Sequence, residues 1–170
     1  MNSKTPTEKN LQHDDAVAKF KKLVHDVNTC MFTTMDDNLQ LFSRPMATVH
    51  VDDEANVWFF TNEFSEKVTS ISKDNSVHLV YAHPKHDIYF TVKGICMVVV
   101  DRSKMNELWK PAMKTWFPDG LDDPKLCLLK VITEDAYYWD NKSKRMSVFF
   151  NRLKGKKPGT REMGQLKLQH

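Results

Sequence analysis

Arg44, Ser65 and Lys67 are the residues whose types and spacing could hold an oxyanion. Arg44 opens a run in which Met46, Thr48 and His50 alternate with Ala47, Val49 and Val51, the period of a strand. Asp52-Asp53-Glu54-Ala55-Asn56 supplies a turn, and Val57 to Thr61 returns as a second strand rich in aromatic residues. The chain then changes period: Ser65 is placed to cap a short helix, with Glu66 and Lys67 in its first turn and Val68 and Ile71 on its apolar side. A helix start offers free N–H groups and a positive dipole end, so Ser65 and Lys67 there would bind an oxyanion. If the two strands pair, Arg44 adds a bidentate guanidinium. Glu66 opposes such an anion unless its carboxylate points away. The alternative is a plain hairpin whose Arg and Lys are solvated surface charges.

The elements that must position these groups read mostly as strands. Asp14 or Asp15 caps a first helix with Val17, Phe20, Val24 and Val27 on one face. Thr29 to Met35 is an apolar strand, Asp36-Asp37-Asn38 a turn, and a strand from Leu39 runs into the Arg44 stretch. Ser76 to Tyr81 alternates, and a long strand runs from Asp87 to Asp101, apolar beyond Gly94, which marks a bulge or bend. Ser103 is expected to cap a helix from Lys104 to Trp116 that Pro111 kinks or divides, with a turn-rich loop after it. Lys125 to Asp140 gives a last strand, and Val148, Phe149 and Leu153 predict a last helix ended by Gly155. Residues 1–12 are expected to be disordered, 13–154 to form one domain, and 155–170 to be a basic tail.

The order of motifs S-R-P-M, W-F-F-T, S-x-K, V-K-G and a late Y-Y-W-D, from about Ala16 to Gly159, resembles the general stress protein branch of the pyridoxamine 5'-phosphate oxidase-like, FMN-binding split barrels. The resemblance implies a mainly β fold, a six-stranded antiparallel split β-barrel with flanking helices, and a homodimer with FMN at the subunit interface. It implies FMN ahead of FAD or another flavin. Arg44, Ser65 and Lys67 match phosphate-binding positions, and Pro45, Met46, Phe60 and Thr61 lie on the two strands that border the flavin ring. Trp116 matches a segment close to the cleft, where it would cover the ring or, by its helical spacing, pack the helix onto the barrel. Trp139, in the terminal Y-W-D, would stack on or border the flavin.

With 170 residues, 41% hydrophobic and 28% charged, the chain is sized for one globular domain. No apolar run approaches the roughly 18 residues of a membrane span, and the polar start MNSKTPTEKN lacks a signal peptide's apolar segment, so a cytoplasmic protein is expected. Cys30, Cys96 and Cys127 read as small core residues. His78, His83 and His86 invite a metal reading, but no carboxylate or thiolate joins them at ligand spacing, so no metal is expected. The net charge of +3 hides nine Lys/Arg against one acid from Asn141 onward, a solvated tail with no recognition-helix motif, so nucleic acid is not an expected partner. Trp58, Phe59, Phe60, Phe90, Trp109, Trp116, Tyr137, Tyr138 and Trp139 outnumber what a small core readily absorbs, a second reason to expect a dimer.

No G-x-G-x-x-G, P-loop, G-x-S-x-G or H-E-x-x-H is present, and no protein acid or base stands out. A flavin that brings its own chemistry suits such a chain, as an oxidoreductase using a reduced nicotinamide or as a non-catalytic flavin module. A barrel without cofactor, acting through its dimer surface and tail, is the third reading. True pyridoxamine phosphate oxidation is not expected, because only Arg152 and Arg161 offer late phosphate ligands.

Overall fold

The computed structural model describes residues 6–62, 75–141 and 144–151. Helix α1 (Pro6–Val27) buries Val17, Phe20 and Val24, the expected stripe. It begins ahead of Asp14, with Pro6 at its first position, where a missing N–H costs nothing. Asn28, at φ 48°, ends it by donating its N–H to the Val24 carbonyl at 2.7 Å.

Eight strands follow: β1 (Thr29–Met35), β2 (Leu41–Ala47), β3 (His50–Val51), β4 (Val57–Thr61), β5 (Ser76–His83), β6 (Ile88–Val99), β7 (Cys127–Asp140) and β8 (Arg145–Asn151). They form one sheet in the order β2-β1-β5-β6-β7-β4-β3, and β8 lies beside the C-terminal half of β7. All pairings are antiparallel. The two ends of that order, β2 and β3, are consecutive in the chain. Thr48 donates its N–H to Asn28 O (2.7 Å) and Val49 donates to Trp58 O (2.9 Å), so adjacent residues bond to opposite edges of the sheet. The sheet therefore curls until its edges meet at Thr48–Val49, the closure of a split barrel.

This closure corrects the expected single strand through Arg44 to Val51, which is two strands, and with β8 it raises the strand count from six to eight. The expected helix around Val148 is also corrected: residues 145–151 pair with β7 in the register Tyr137↔Val148. R-M-S-V-F-F-N is rich enough in aromatic and β-branched residues to extend the sheet, and the second half of β7 leaves an edge for it. The long helix expected over Lys104–Trp116 is a helix α2 (Arg102–Leu108) followed by a 3-10 helix (Pro111–Thr115). Pro111 excludes helical geometry from Lys110, which is extended at φ −122°, ψ 140°. Asp101, not Ser103, caps α2: its carboxylate accepts the N–H groups of Ser103 (2.9 Å) and Lys104 (3.2 Å).

Two apolar clusters absorb most of the aromatic residues. Inside the barrel Phe32 meets Phe59 edge-on at 5.3 Å, and Tyr81 stacks on Phe90 at 4.3 Å. On the outer face of β4 and β7, Trp58, Phe60 and Leu128 pack under Met105 and Leu108 of α2. Gly94 sits at a register shift between β6 and β7, as expected of a bulge; a Cβ there would lie 2.3 Å from the Ile132 carbonyl oxygen. Cys30, Cys96 and Cys127 are buried and unpaired. Burial pushes the Cys30 and Cys96 thiols up to about 12, so both stay protonated.

Candidate functional site

A cleft of about 520 Å³ opens where β2 ends, at the closure Thr48–Val49, beside the end of β4 and under the segment Lys110–Phe117. Arg44, Pro45, Met46, Phe60, Thr61 and Trp116 line it, six of the nine expected site residues. The antiparallel ladders set their positions. Arg44 lies opposite Phe32 and Met46 opposite Cys30, both inward-facing, whereas Pro45 lies opposite Met31 on the outer face. Phe60 and Thr61 end β4, opposite Leu128 and Cys127. The hairpin that returns the chain to β4 turns on Asp52, whose carboxylate accepts the N–H groups of Glu54 and Asn56, the Asn56 amide and the Trp58 indole N–H. Burial pushes this carboxyl up, but those bonds, led by the Asn56 N–H, outweigh it and hold Asp52 below its ordinary range.

Ser65 and Lys67, with Glu66, lie outside the described residues. Trp139 is not brought to the cleft. It pairs with Met146 near the C-terminal end of β7, twelve residues from Cys127 at the cleft end, about 40 Å of extended strand. Trp116 lines the cleft while 74% exposed, so it does not pack the helix onto the barrel. Trp109 fills that role, edge-on to Phe60 at 5.5 Å and 6.5 Å from Phe117.

Sequence reasoning passed over Lys110, Asn28, Thr29 and Asn62, which also line the cleft. Asn28 is recognisable only as a helix end, and Lys110 only as the residue before Pro111. The Thr48 hydroxyl at the closure hydrogen-bonds the Tyr81 phenol at 2.6 Å. Burial, then the nearby Cys30, push that phenol far above its ordinary range, so it remains neutral.

The chemistry of the lining is one-sided. Among the described residues the cleft carries Arg44 and Lys110 and no Asp, Glu, His, Cys or Tyr. Such a surface attracts an anion and offers flat apolar faces from Phe60, Phe117 and Trp116. Its described residues offer no His, Cys, Asp or Glu to shuttle a proton. Among the described residues no three His, Cys, Asp or Glu side chains gather as a metal site. His83 and His86 stack on each other at 4.3 Å, and His78 lies apart on the outer face of β5.

A family model described as "Pyridoxamine 5'-phosphate oxidase like" matches residues 15–162. General stress protein 26 of Bacillus subtilis is 27% identical over 96 residues, 55% of this chain and 66% of that protein. The chain spans between 56% and 66% of the length of the curated relatives it matches. The general stress FMN/FAD binding protein of Xanthomonas citri superposes with a TM-score of 0.63 at 26% identity, covering 78% of this chain and 90% of that one. A Clostridium acetobutylicum protein related to general stress protein 26, of the pyridoxinephosphate oxidase family, has the same fold: TM-score 0.70, 20% identity, 81% and 95% covered.

Proposed function

Because the chain belongs to the pyridoxamine 5'-phosphate oxidase-like family, we propose that its cleft binds FMN and that the protein is a flavin-dependent oxidoreductase using a reduced nicotinamide or a similar donor. The observation that carries this reading is the described lining: about 520 Å³ with Arg44 and Lys110, no carboxylate among the described residues, and several aromatic faces. That volume lies within the roughly 300–1,000 Å³ of ligand pockets, and the donor set suits a phosphorylated, planar group. The residues present therefore fit a flavin mononucleotide.

Arg44 would hold the phosphate, joined by Ser65 and Lys67. Pro45, Met46, Phe60 and Thr61 would border the ring, and Trp116 would cover it and exclude water. The flavin, when bound, supplies the hydride and electron transfer. A lining without acid or base among the described residues accords with a protein whose part is to bind and orient.

A homodimer is part of the proposal. Pro45, Met31 and Val80 form an exposed apolar row across three outer strands, in the register Pro45↔Met31↔Val80. Thr29, Pro45 and Ala47 belong both to that outer face and to the cleft, so a second copy packed there would complete the site. Trp139, which does not line the cleft of its own chain, would border a flavin only across such an interface. Among the described residues no helix is long and apolar enough to cross a membrane, and a cytoplasmic address is proposed with the rest.

Mixing the FMN-loaded protein anaerobically with NADH or NADPH tests the activity. Bleaching of the flavin absorbance on turnover timescales is expected; a flavin that stays oxidised with both donors would leave a non-catalytic binding module. Light scattering at micromolar concentration is expected to give a dimer, and a monomer would defeat the interface site.

A further inference from the structure

We propose that the turn between β3 and β4, together with Glu134 and Asp135 of β7, is a docking surface for the chain's own basic segment 152–157, which lies outside the described residues. The inference concerns a surface away from the cleft lining and does not depend on the cofactor.

Three observations carry it. The first is where the chain leaves the sheet. Strands β4 and β8 lie end to end along one edge of β7: Val57 pairs with Val131, and Asn151, the last residue of β8, pairs with Asp135. Between them Thr133 donates its hydroxyl to the Ala55 carbonyl at 2.6 Å, which fixes the turn Asp52-Asp53-Glu54-Ala55-Asn56 in that gap. Two residues of strand span about 7 Å, so residue 152 emerges beside the turn. The second is charge. Residues 152–157, R-L-K-G-K-K, carry four cations and no acid. The surface they reach presents Asp52, Asp53 and Glu54 from the turn, and Glu134 and Asp135 from β7 where its register with β6 shifts. Against these carboxylates stand Lys21, paired with Asp53, and Lys93, across the ladder from Asp135, so the patch stays negative.

The third is unmet hydrogen bonding. Among the described residues three buried polar side-chain atoms have no hydrogen-bond partner, and two of them lie here: Asp135 Oδ1 and Asn56 Oδ1, on residues 9% and 1% exposed. Both are acceptors. A buried acceptor without a donor is costly, and each such atom in a folded protein calls for a donor that meets it. Lysine and arginine side chains are donors only. A segment that brings N–H groups and positive charge to this place satisfies the charge and the orphaned acceptors together, and a neutral segment leaves the charge unanswered.

Zero-length carbodiimide coupling of the full chain at low salt, followed by peptide mapping, tests the contact directly, because it joins an amine to a carboxylate only where the two touch. Lys154, Lys156 or Lys157 is expected to join Asp53, Glu54, Glu134 or Asp135, and the products are expected to fade at high salt. Coupling to carboxylates elsewhere, or no coupling of these lysines, would overturn the proposal. The reaction is repeated on isotope-labelled and unlabelled chains refolded together. Joined peptides of mixed labelling would assign the segment to a second copy and overturn docking within the chain. A second measurement follows tryptic cleavage after Arg152 and Lys154, which requires the segment to be released. The double substitution Glu54→Gln with Glu134→Gln keeps the size of both side chains, and leaves an acceptor for the Asn56 amide. At low salt it is expected to speed cleavage about fivefold, as the loss of a small network of ion pairs predicts. Asp119→Asn with Asp122→Asn, which removes two charges from the loop ahead of β7, is expected to leave the rate unchanged. An unaltered rate in the Glu54/Glu134 variant, or an equal rise in the Asp119/Asp122 variant, would overturn the assignment of the segment to this surface.

Discussion

Replacing Trp116 by alanine separates ligand binding from stability in a way the fold makes quantitative. The side chain is 74% exposed, so only about a quarter of its surface is covered. A fully buried tryptophan removes up to ~250 Å² from water, and at ~25 cal/mol per Å² the covered part is worth no more than about 1.5 kcal/mol. Stacking of a heterocycle on an aromatic side chain contributes about 1–3 kcal/mol by alanine substitution. Trp116→Ala should therefore weaken FMN by about 5- to 150-fold while the flavin-free protein melts within a few degrees of the wild type. Trp109→Ala is the contrast, because that ring packs on Phe60 and Phe117. It should cost about 3 kcal/mol of stability and disturb the whole wall. The assays are quenching of FMN fluorescence and thermal unfolding of both variants without flavin. An unchanged FMN affinity in Trp116→Ala would refute the indole as the cover of the ring. A melting loss as large as that of Trp109→Ala would refute its exposure.

Other expectations concern the frame of the cleft. In Gly94→Ala the new methyl meets the Ile132 backbone oxygen at 2.3 Å and Val131 Cγ1 at 2.9 Å. Backbone cannot swing aside, so a loss of about 3 kcal/mol is expected in denaturant unfolding, and a neutral result would contradict the bulge. Asp52 has a depressed folded-state pKa, so its contribution is present above the ordinary carboxylate range and is lost as pH falls through the folded value. Asp52→Asn should flatten the acid limb of the stability-versus-pH curve; an unaltered limb would remove Asp52 from the account. The variant should also lower stability at neutral pH by about 1–3 kcal/mol, since it disrupts the acceptors of Asn56 and Trp58.

Much of this architecture is legible in the sequence, because alternation and helical stripes report burial directly. Val17, Phe20 and Val24 mark the buried face of α1, and Cys30 and Phe32 alternate with exposed neighbours along β1. The Arg44 and Phe60 strands, which converge on the cleft, carry the pattern that identified them. The closure at Thr48–Val49 is not legible, because alternation runs unbroken from Met46 to Val51 while the hydrogen-bond partners change from one edge of the sheet to the other. The β8 segment is too short to distinguish a strand period from a helical one, and the edge of β7 that β4 leaves open beyond Val131 decides it. Lys110 carries no periodic signal. Its place in the lining appears only when Trp109 is seen to pack the neighbouring wall.

Titration of the purified protein with FMN and with riboflavin, followed by flavin fluorescence, tests the central claim most directly. The two ligands share a ring and differ by the phosphate that Arg44 is proposed to hold. A charge-assisted contact of this kind is worth about 1.5–3 kcal/mol, so FMN should bind at least about tenfold more tightly, and Arg44→Ala should narrow the gap. Equal binding of FMN and riboflavin, or binding of neither, would contradict a phosphate-anchored flavin in this cleft.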